Sequence, residues 1–162
     1  MSNQFKIREA QSNDISRLKE IIDLSFPRFF RYFALHSVSD LSEPVLVTEI
    51  EGLISGFAKL IEFHVGDIKY GCILWIAVHP NFRRKGIADA LTEAGVNRLK
   101  IEGASAVFAS TQRRNKGALS VLLQHGFKRK GSFALRRIFG WRSLQLYSAI
   151  WYAPGEVVLM HE

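Results

Sequence analysis

The segment from Ile73 to Ala88 constrains the fold of this chain more than any other feature of its sequence. It runs ILWIAVHPNFRRKGIA, an apolar stretch followed by a basic loop and then by residues typical of a helix start. The free N–H groups and the dipole of a helix N-terminus attract anions. Gly86 adds no side-chain bulk there, and the residues from Arg83 to Lys85 add positive charge. The segment therefore predicts a buried strand that leads into a phosphate-binding helix start, rather than an isolated basic turn.

Before this segment, the sequence predicts one strand, two helices and a run of three further strands. Phe5 to Ala10 alternates as in a strand, and the apolar residues from Ile15 to Ile22 recur at helical spacing. Pro27 ends that helix, and Phe26 to Leu35 predicts a second short helix whose aromatic side chains belong mainly to the core, or else line an apolar pocket. Turn residues then separate three β-rich runs, which indicate an antiparallel meander: Val45 to Glu51, Leu53 to Val65 and Lys69 to Val78.

After the segment, helical and strand patterns alternate. Helical spacing extends from Gly86 to Ile101, and a shorter helix is predicted from Asn115 to His125, where Gly126 ends it. The remaining apolar runs are predicted as strands, with a loop or short edge strand from Ala153 onwards: Ala104 to Thr111, Phe127 to Arg136 and Leu144 to Tyr152. No repeat, low-complexity tract or linker interrupts this order. We therefore expect a single α+β domain over residues 1–162, built on a mixed sheet.

The charge balance favours an anionic partner. The 162 residues include 22 Lys and Arg against 15 Asp and Glu, a formal net charge of +7, which suits nucleic acid, a membrane surface or a phosphorylated small molecule. The longest apolar run, Ile73 to Val78, is far shorter than the ~20 residues of a membrane helix, and the first residues lack a signal-like apolar stretch. A single cysteine, Cys72, excludes an internal disulfide framework. We expect a cytoplasmic protein without a membrane partner.

Several other phosphate-binding, hydrolytic and metal-binding motifs are absent from the sequence. No G-x-G-x-x-G follows a predicted strand, and Gly126 to Gly131 has the Walker spacing without the lysine that should follow. The hydrolase motif G-x-S-x-G is missing, and no pair of histidines has metal-ligand spacing. We therefore predict no bound metal, and we interpret four histidines as ordinary loop or half-buried residues: His36, His64, His79 and His125.

Two motifs together resemble the GNAT superfamily of acetyl-CoA-dependent N-acetyltransferases. The pattern R-x-x-G-x-A at Arg83–Ala88, after a strand that ends with AVHP at Ala77–Pro80, is similar to the family signature Q/R-x-x-G-x-G/A. The pattern N-x-x-A at Asn115–Ala118, which leads to HGF at His125–Phe127, is similar to the second segment of the family. The matching order of elements covers nearly the whole chain. The resemblance implies a mixed, mostly antiparallel central sheet flanked by helices, with acetyl-CoA as cofactor.

The resemblance assigns the cofactor contacts to the strand end and to the basic loop. The main chain from Arg84 to Ala88 would hold the pyrophosphate, while Ile76 and Val78 would pair with the pantetheine arm like an added strand. The Val78 N–H would face the thioester oxygen. Asn115 would bond the cofactor arm from the opposite side, besides capping its own helix. The cofactor-binding residues implied are Ile76, Ala77, Val78, Arg83, Arg84, Lys85, Gly86, Ile87, Ala88 and Asn115.

The catalytic positions of the family carry other residues in this sequence. Leu122 stands where members often have a tyrosine that protonates the leaving thiolate. Cys72 and Ser110 stand where some members have a glutamate base. The resemblance then implies that the amine loses its proton to bulk water through ordered waters.

Two other side chains could act as the base in place of the missing glutamate, and the strand register ranks them. If Gly66-Asp67 forms a two-residue hairpin turn, Phe63 faces Tyr70 on the side that carries Cys72, and Tyr70 is the better-placed polar group. A one-residue slip favours Glu62 instead. Core packing for Tyr70 and a solvated face for Glu62 are the alternative interpretations. The candidate catalytic residues are therefore Val78, Tyr70 and Glu62.

These features predict transfer of an acetyl group to a primary amine by direct attack in a ternary complex. A catalytically weakened acyl-CoA-binding or sensing module is the alternative, and nucleic-acid binding has the least support. The segments Phe26 to Leu35 and Phe127 to Tyr152 contain Lys and Arg but no Asp or Glu, so they would repel polycations. We therefore expect a peptide or protein N-terminus, or an amino-acid-like small molecule, as the acceptor. These expectations are compatible with a homodimer.

Overall fold

A computed structural model describes residues 4–162, so the first three residues of the predicted domain lie outside the description. These residues form six helices and seven strands, together with three short 3-10 turns. In chain order, the described elements are β1 (Lys6–Glu9), α1 (Ile15–Ser25), α2 (Arg28–Ser39), β2 (Val45–Ile50), β3 (Leu53–Val65), β4 (Ile68–Val78), α3 (Ile87–Ile101), β5 (Val107–Gln112), α4 (Lys116–Gln124), β6 (Lys128–Arg129), α5 (Ser132–Phe139), α6 (Ser143–Ala149) and β7 (Glu156–His161).

The strands form a seven-stranded sheet in the order β1-β2-β3-β4-β5-β7-β6. The pairs β1–β2, β2–β3, β5–β7 and β6–β7 are antiparallel, whereas β4 and β5 pair in parallel at Gly71–Val107 and Cys72–Phe108. Gly66 turns the chain between β3 and β4 with a φ of 64°, a conformation that glycine adopts without strain. The predicted mixed, mostly antiparallel sheet flanked by helices is confirmed, as is the meander from β2 to β4.

The region after β6 differs from the prediction. Instead of the strands expected at 127–136 and 144–152, β6 has two residues, and the helices α5 and α6 follow it. Leu135 of α5, Leu146 of α6 and Ile150 directly after α6 are buried, so packing decides the helical state against the strand propensity of the aromatic residues. The tail expected as a loop or edge strand is β7, which pairs with a neighbour on each side.

Backbone contacts divide the chain into two compact units, each of which includes parts of β3 and β4. The N-terminal unit comprises residues up to 60 together with 75–95, and the C-terminal unit comprises residues 61–74 together with 96–162. In the N-terminal unit, α1 buries Leu18, Ile21 and Ile22 completely, at the i, i+3, i+4 spacing of an amphipathic helix. They pack with Phe57 of β3 and Ala77 of β4, so this core supports the end of β4.

The aromatic residues of α2 lie mostly outside the core, in contrast to the sequence-based prediction. Phe29 is 71% exposed and Tyr32 is 74% exposed, whereas Ala34 and Val38 are buried. Small side chains therefore form the inner face of α2, and hydrophobicity alone did not distinguish that face from the outer one. Phe30 is an exception, since its ring centroid lies 6.2 Å from that of Trp75 in β4.

Candidate anion-binding site at the end of β4

The end of β4 is fixed to β3 by a main-chain hydrogen bond. The N–H of His79, the residue after β4, donates to the carbonyl oxygen of Ser55 at 2.8 Å. Successive N–H groups of an extended chain point to opposite edges, so the Val78 N–H points away from β3. Val78 thus presents its N–H as a donor that β3 does not use, which is the orientation that the predicted contact with a thioester oxygen requires.

His79 serves the fold of the loop that follows β4. The residue is 6% exposed, and its Nδ1 accepts the N–H of Asn81 at 3.1 Å, which caps the 3-10 turn Pro80–Phe82. Its Nε2 lies 3.7 Å from Oε1 of Glu20 in α1. The ring therefore fixes the exit of the chain from β4 and is a buried structural residue.

Arg83 directs its guanidinium back towards the main chain. Its Nε donates to the carbonyl oxygen of Val78 at 3.1 Å, and its Nη2 lies 3.4 Å from Oγ of Ser25 at the end of α1. Holding the carbonyl of Val78 fixes the peptide group that joins Val78 to His79, where the chain leaves β4. The sequence predicted Arg83 as a cation for the cofactor, and the structure adds this positioning contact, which the spacing of the motif did not indicate.

The loop from Arg84 to Gly86 has the backbone shape of an anion cradle. Arg84 and Gly86 have φ angles of 63° and 76°, in the left-handed region, and α3 begins directly after them at Ile87. Left-handed residues in such a turn direct successive N–H groups towards one side, where they can hold a phosphate. A Cβ built on Gly86 meets no atom within 4 Å, so open space adjoins the cradle.

The basic side chains of the loop remain at the surface. Arg84 and Lys85 are exposed, and the Lys85 ammonium lies 5.5 Å from the centroid of the Phe82 ring. The main chain thus forms the site, and these charges surround it. Main-chain donors, a helix N-terminus and added positive charge fit the diphosphate of a nucleotide-like cofactor.

Gly56 of β3 is a site residue that the motifs did not reveal. A Cβ at this position would lie 2.9 Å from the carbonyl oxygen of Ala77 and 3.1 Å from Cγ2 of Ile87. The absence of a side chain lets β3 approach both the end of β4 and the first residue of α3. A glycine inside a β-rich run was the sequence signal for this close approach.

The two substitute bases lie in the C-terminal unit. Tyr70 is 9% exposed, its ring contacts Phe63, Phe108 and Phe139, and burial raises the pKa of its phenol. Glu62 is half-buried, and its Oε2 lies 2.6 Å from Nζ of Lys69. The ring contact and the two-residue turn agree with the register that places Phe63 beside Tyr70. Packing and an ion pair account for the two side chains, and their catalytic roles stay predictions.

The remaining family positions are also described within the C-terminal unit. Burial, with a smaller effect of Glu156, raises the pKa of the Cys72 thiol, and Leu122 is 5% exposed, so both side chains lie in apolar surroundings. The side-chain oxygen of Asn115 accepts the N–H of Ala118 at 3.1 Å and caps α4. The capping role predicted for Asn115 is confirmed, and its cofactor contact stays a prediction.

Residues 4–162 contain neither a membrane-crossing helix nor a metal-binding cluster. No helix in this range is both long enough and apolar enough to cross a membrane. Within the same range, no group of three or more His, Cys, Asp or Glu side chains is arranged to hold a metal ion.

Comparison with known families decides what the strand, loop and helix represent. The model of the Acetyltransferase (GNAT) family matches residues 11–127, a span that includes β4, the basic loop and α3. The chain belongs to the GNAT acetyltransferase family. The resemblance that the two motifs indicated is therefore confirmed, and we refer to β4 with the basic loop after it as the signature region.

The chain is also similar to two relatives in sequence and to a solved structure in fold. It is 26% identical over 135 residues to a protein of Sulfurisphaera tokodaii, covering 77% of this chain and 81% of that protein. It is also 26% identical over 144 residues to a protein of Saccharolobus solfataricus, covering 80% and 86%. Both relatives are named N-alpha-acetyltransferase. The PaiA N-acetyltransferase of Thermoplasma acidophilum, solved with coenzyme A, has the same fold, with a TM-score of 0.71, 15% identity and coverage of 100% and 99%.

Proposed function

We propose that this GNAT protein transfers the acetyl group of acetyl-CoA to the α-amino group of a peptide or protein. One observation carries the proposal: the left-handed loop at Arg84 and Gly86 opens into free space at the start of α3, directly after a strand whose last N–H, at Val78, is turned away from β3. This combination supplies a cradle for a diphosphate and a donor for a thioester oxygen on one continuous stretch of chain.

Main-chain groups of the signature region would bind the cofactor. The N–H groups from Arg84 to Ala88 would hold the diphosphate, with Lys85 adding charge, and Ile76 to Val78 would pair with the pantetheine arm. Asn115 would contribute from α4. The coenzyme A bound to the related fold of PaiA supports this assignment. When bound, acetyl-CoA supplies an acetyl group activated as a thioester.

Val78 has the central role in the chemistry that we propose. As the amine attacks the thioester carbonyl, negative charge develops on its oxygen, and a preorganised main-chain N–H stabilises that charge. The contact of Arg83 with the Val78 carbonyl holds the next peptide group, between Val78 and His79, and so restrains the end of β4. Cys72 and Leu122 are buried, and packing and an ion pair account for Tyr70 and Glu62, so we propose that the amine proton leaves through water. The C–N bond forms first, the C–S bond then breaks, and water returns a proton to the sulfur so that coenzyme A leaves as the thiol.

An α-amine with little positive charge around it is the acceptor that the sequence and the relatives favour. Both relatives described above are named for N-alpha acetylation. The stretches 26–39 and 127–155 contain no acidic residue, so a polyamine or aminoglycoside would meet like charge there. The single, buried Cys72 fits a reducing compartment, and we propose that the reaction takes place in the cytoplasm.

Thiol release with matched acceptors tests the proposal. The assay compares a peptide with a free N-terminus, the same peptide with a blocked N-terminus and one lysine, free amino acids, spermidine and kanamycin. We expect the free N-terminus to give the highest kcat/KM, and mass spectrometry should locate the acetyl group on the α-nitrogen. A higher kcat/KM for spermidine would contradict the proposed acceptor. Stabilisation by acetyl-CoA without thiol release from any amine would instead favour an acyl-CoA-binding module.

A further inference from the structure

A cavity of about 370 Å³ lies in the C-terminal unit beside β7. Its volume falls in the range of small-molecule binding sites, roughly 300–1,000 Å³. Its walls come from the residue after β5, from α4, from the end of β6, from the start of α5, and from α6 and β7. The side chains that matter for its chemistry are Arg113, Arg129, Lys130, Tyr147, Tyr152 and Glu156.

Strand pairing brings the basic residues of the cavity together. β7 pairs with β5 on one side and with β6 on the other. The N–H of Arg113 donates to the carbonyl oxygen of Gly155 at 3.4 Å, and the N–H of Lys130 donates to that of Val158 at 2.9 Å. Arg113 and Arg129, which are distant in sequence, therefore reach one cavity because β7 lies between their strands.

The positive charges of the cavity outnumber the negative ones. Glu156 is the acidic residue of the lining, and its Oε2 already accepts the N–H of Ala153 at 2.9 Å. Nζ of Lys130 lies 3.7 Å from Oε1 of the exposed Glu162. Among the described residues, no ion pair or side-chain hydrogen bond involves Arg113 or Arg129. Both arginines are exposed, so a ligand can reach them. Three cations against one engaged carboxylate favour an anionic ligand.

Aromatic and main-chain groups complete the lining. The rings of Tyr147 and Tyr152 lie with their centroids 4.9 Å apart and form an apolar wall. Burial, together with Tyr152, raises the pKa of the Tyr147 phenol, which therefore stays a neutral hydrogen-bond donor. At Gly131, no side chain caps the N-terminus of α5, so the first N–H groups of that helix add to the positive potential. A carboxylate on a short apolar stem matches these walls.

We propose that this cavity binds an acidic side chain of the acceptor, so that the enzyme prefers peptides that contain Asp or Glu over the same peptides with Asn or Gln. The inference rests on the proposed function, which makes the acceptor a peptide. The planar guanidinium groups of Arg113 and Arg129 can each donate two hydrogen bonds to a carboxylate, a geometry that a neutral amide does not match.

Binding and turnover of matched peptides test this preference. Peptides that differ at one position only, by Glu or Gln or by Asp or Asn, are titrated by calorimetry into protein saturated with coenzyme A, which cannot transfer an acetyl group. We expect the acidic peptide to bind roughly ten-fold or more tightly than its amide, as for a hydrogen bond to a charged group. The ratio of their kcat/KM values with acetyl-CoA should show the same preference.

Two variants and a matched control locate the preference. Arg113→Gln and Arg129→Gln should each reduce the acid-to-amide ratio to about three-fold or less. Arg114→Gln removes the same charge from the residue next to Arg113, which does not line the cavity, and should retain the full ratio. Equal binding of acid and amide by the unmodified protein would overturn the proposal, as would an equal loss of preference in Arg114→Gln.

The same experiment separates this inference from its alternatives. If Arg113→Gln and Arg129→Gln weaken coenzyme A binding and leave the peptide ratio unchanged, the cavity serves a phosphate of the cofactor and the proposal fails. Selective binding of acidic peptides without acetyl transfer would support the cavity and reject the proposed function. Acetyl transfer without any acid preference would support the function and reject the cavity.

Discussion

The signature loop, from Arg83 to Gly86, and the cavity beside β7 both suit an anion, but different parts of the chain supply the contacts. At the loop, the main chain forms the site, and Arg83 turns its guanidinium onto the carbonyl of Val78. At the cavity, the side chains of Arg113 and Arg129 form the site, and the main chain only positions them. A main-chain site should tolerate loss of a surface charge but be sensitive to an added Cβ. A side-chain site should be sensitive to loss of charge and depend on the packing that holds its walls.

The first prediction concerns the packing that holds the cavity wall, and its expected effect is the largest. Leu135 is completely buried on the inner side of α5, so Leu135→Ala should lower the free energy of unfolding by about 2–5 kcal/mol. Phe133 is 76% exposed, and Phe133→Ala should change it by less than about 0.5 kcal/mol. Urea denaturation measures both. In a strand the two residues would share one face, so equal losses would contradict the helical assignment.

The second prediction tests the main-chain nature of the signature loop. With acetyl-CoA at 100 times its Kd, ligand binding should stabilise the protein by about 2.7 kcal/mol. Gly86→Val should remove most of this stabilisation, because a β-branched residue is strained at a φ of 76° and its side chain would enter the cradle. The shift in melting temperature with acetyl-CoA measures the effect.

A matched control sharpens this second prediction. Lys85→Gln removes a charge beside Gly86 without adding bulk, and it should reduce the stabilisation by less than about 1 kcal/mol because Lys85 is exposed. If Lys85→Gln removes the shift and Gly86→Val keeps it, side-chain charge and not the main chain binds the cofactor. The contrast between the two regions would then disappear.

The third prediction concerns the close approach that supports the loop. Gly56→Ala would place a Cβ 2.9 Å from the carbonyl oxygen of Ala77, a main-chain atom that cannot move alone, and should destabilise the protein by about 1–3 kcal/mol. In α4, the Cβ added by Gly117→Ala would lie 3.9 Å from Asn115 Oδ1, an ordinary contact distance. This substitution should stabilise the protein by about 0.5–1 kcal/mol. Thermal unfolding compares the two. Stabilisation by Gly56→Ala would show that β3 and β4 approach less closely than described.

The signature region was predictable because its signals are contiguous. The β-branched run, the glycine at position 86 and the helical spacing after it occur in one stretch, so local propensity and packing agree. The cap at Asn115 was predictable for the same reason, since the capping oxygen and the N–H it accepts are three residues apart. The contact of Arg83 with Ser25 and the close approach at Gly56 were not, because each involves an element distant in sequence.

The region from β6 to β7 could not be predicted in the same way. Its aromatic and aliphatic residues have a high strand propensity. The buried face that stabilises the helices instead consists of only a few residues, among them Leu135 and Leu146. The run from Glu156 to His161 is a strand because β5 and β6 pair with it. Since β7 also brings Arg113 and Arg129 together, the cavity depended on a strand that the sequence pattern did not reveal.

The position of β7 has a consequence for the order in which the chain can fold. Within the described sheet, β6 has β7 as its neighbour, and β5 pairs along its whole length with β7. The loop that contains α5 and α6 must therefore close before β6 can join the sheet, and loop closure precedes the gain from pairing. The helices α5 and α6, which lie between β6 and β7 in the sequence, shorten the search of β6 for its partner, because local helices form in about a microsecond. β6 therefore joins the sheet only through β7, after or together with the pairing of β7 with β5.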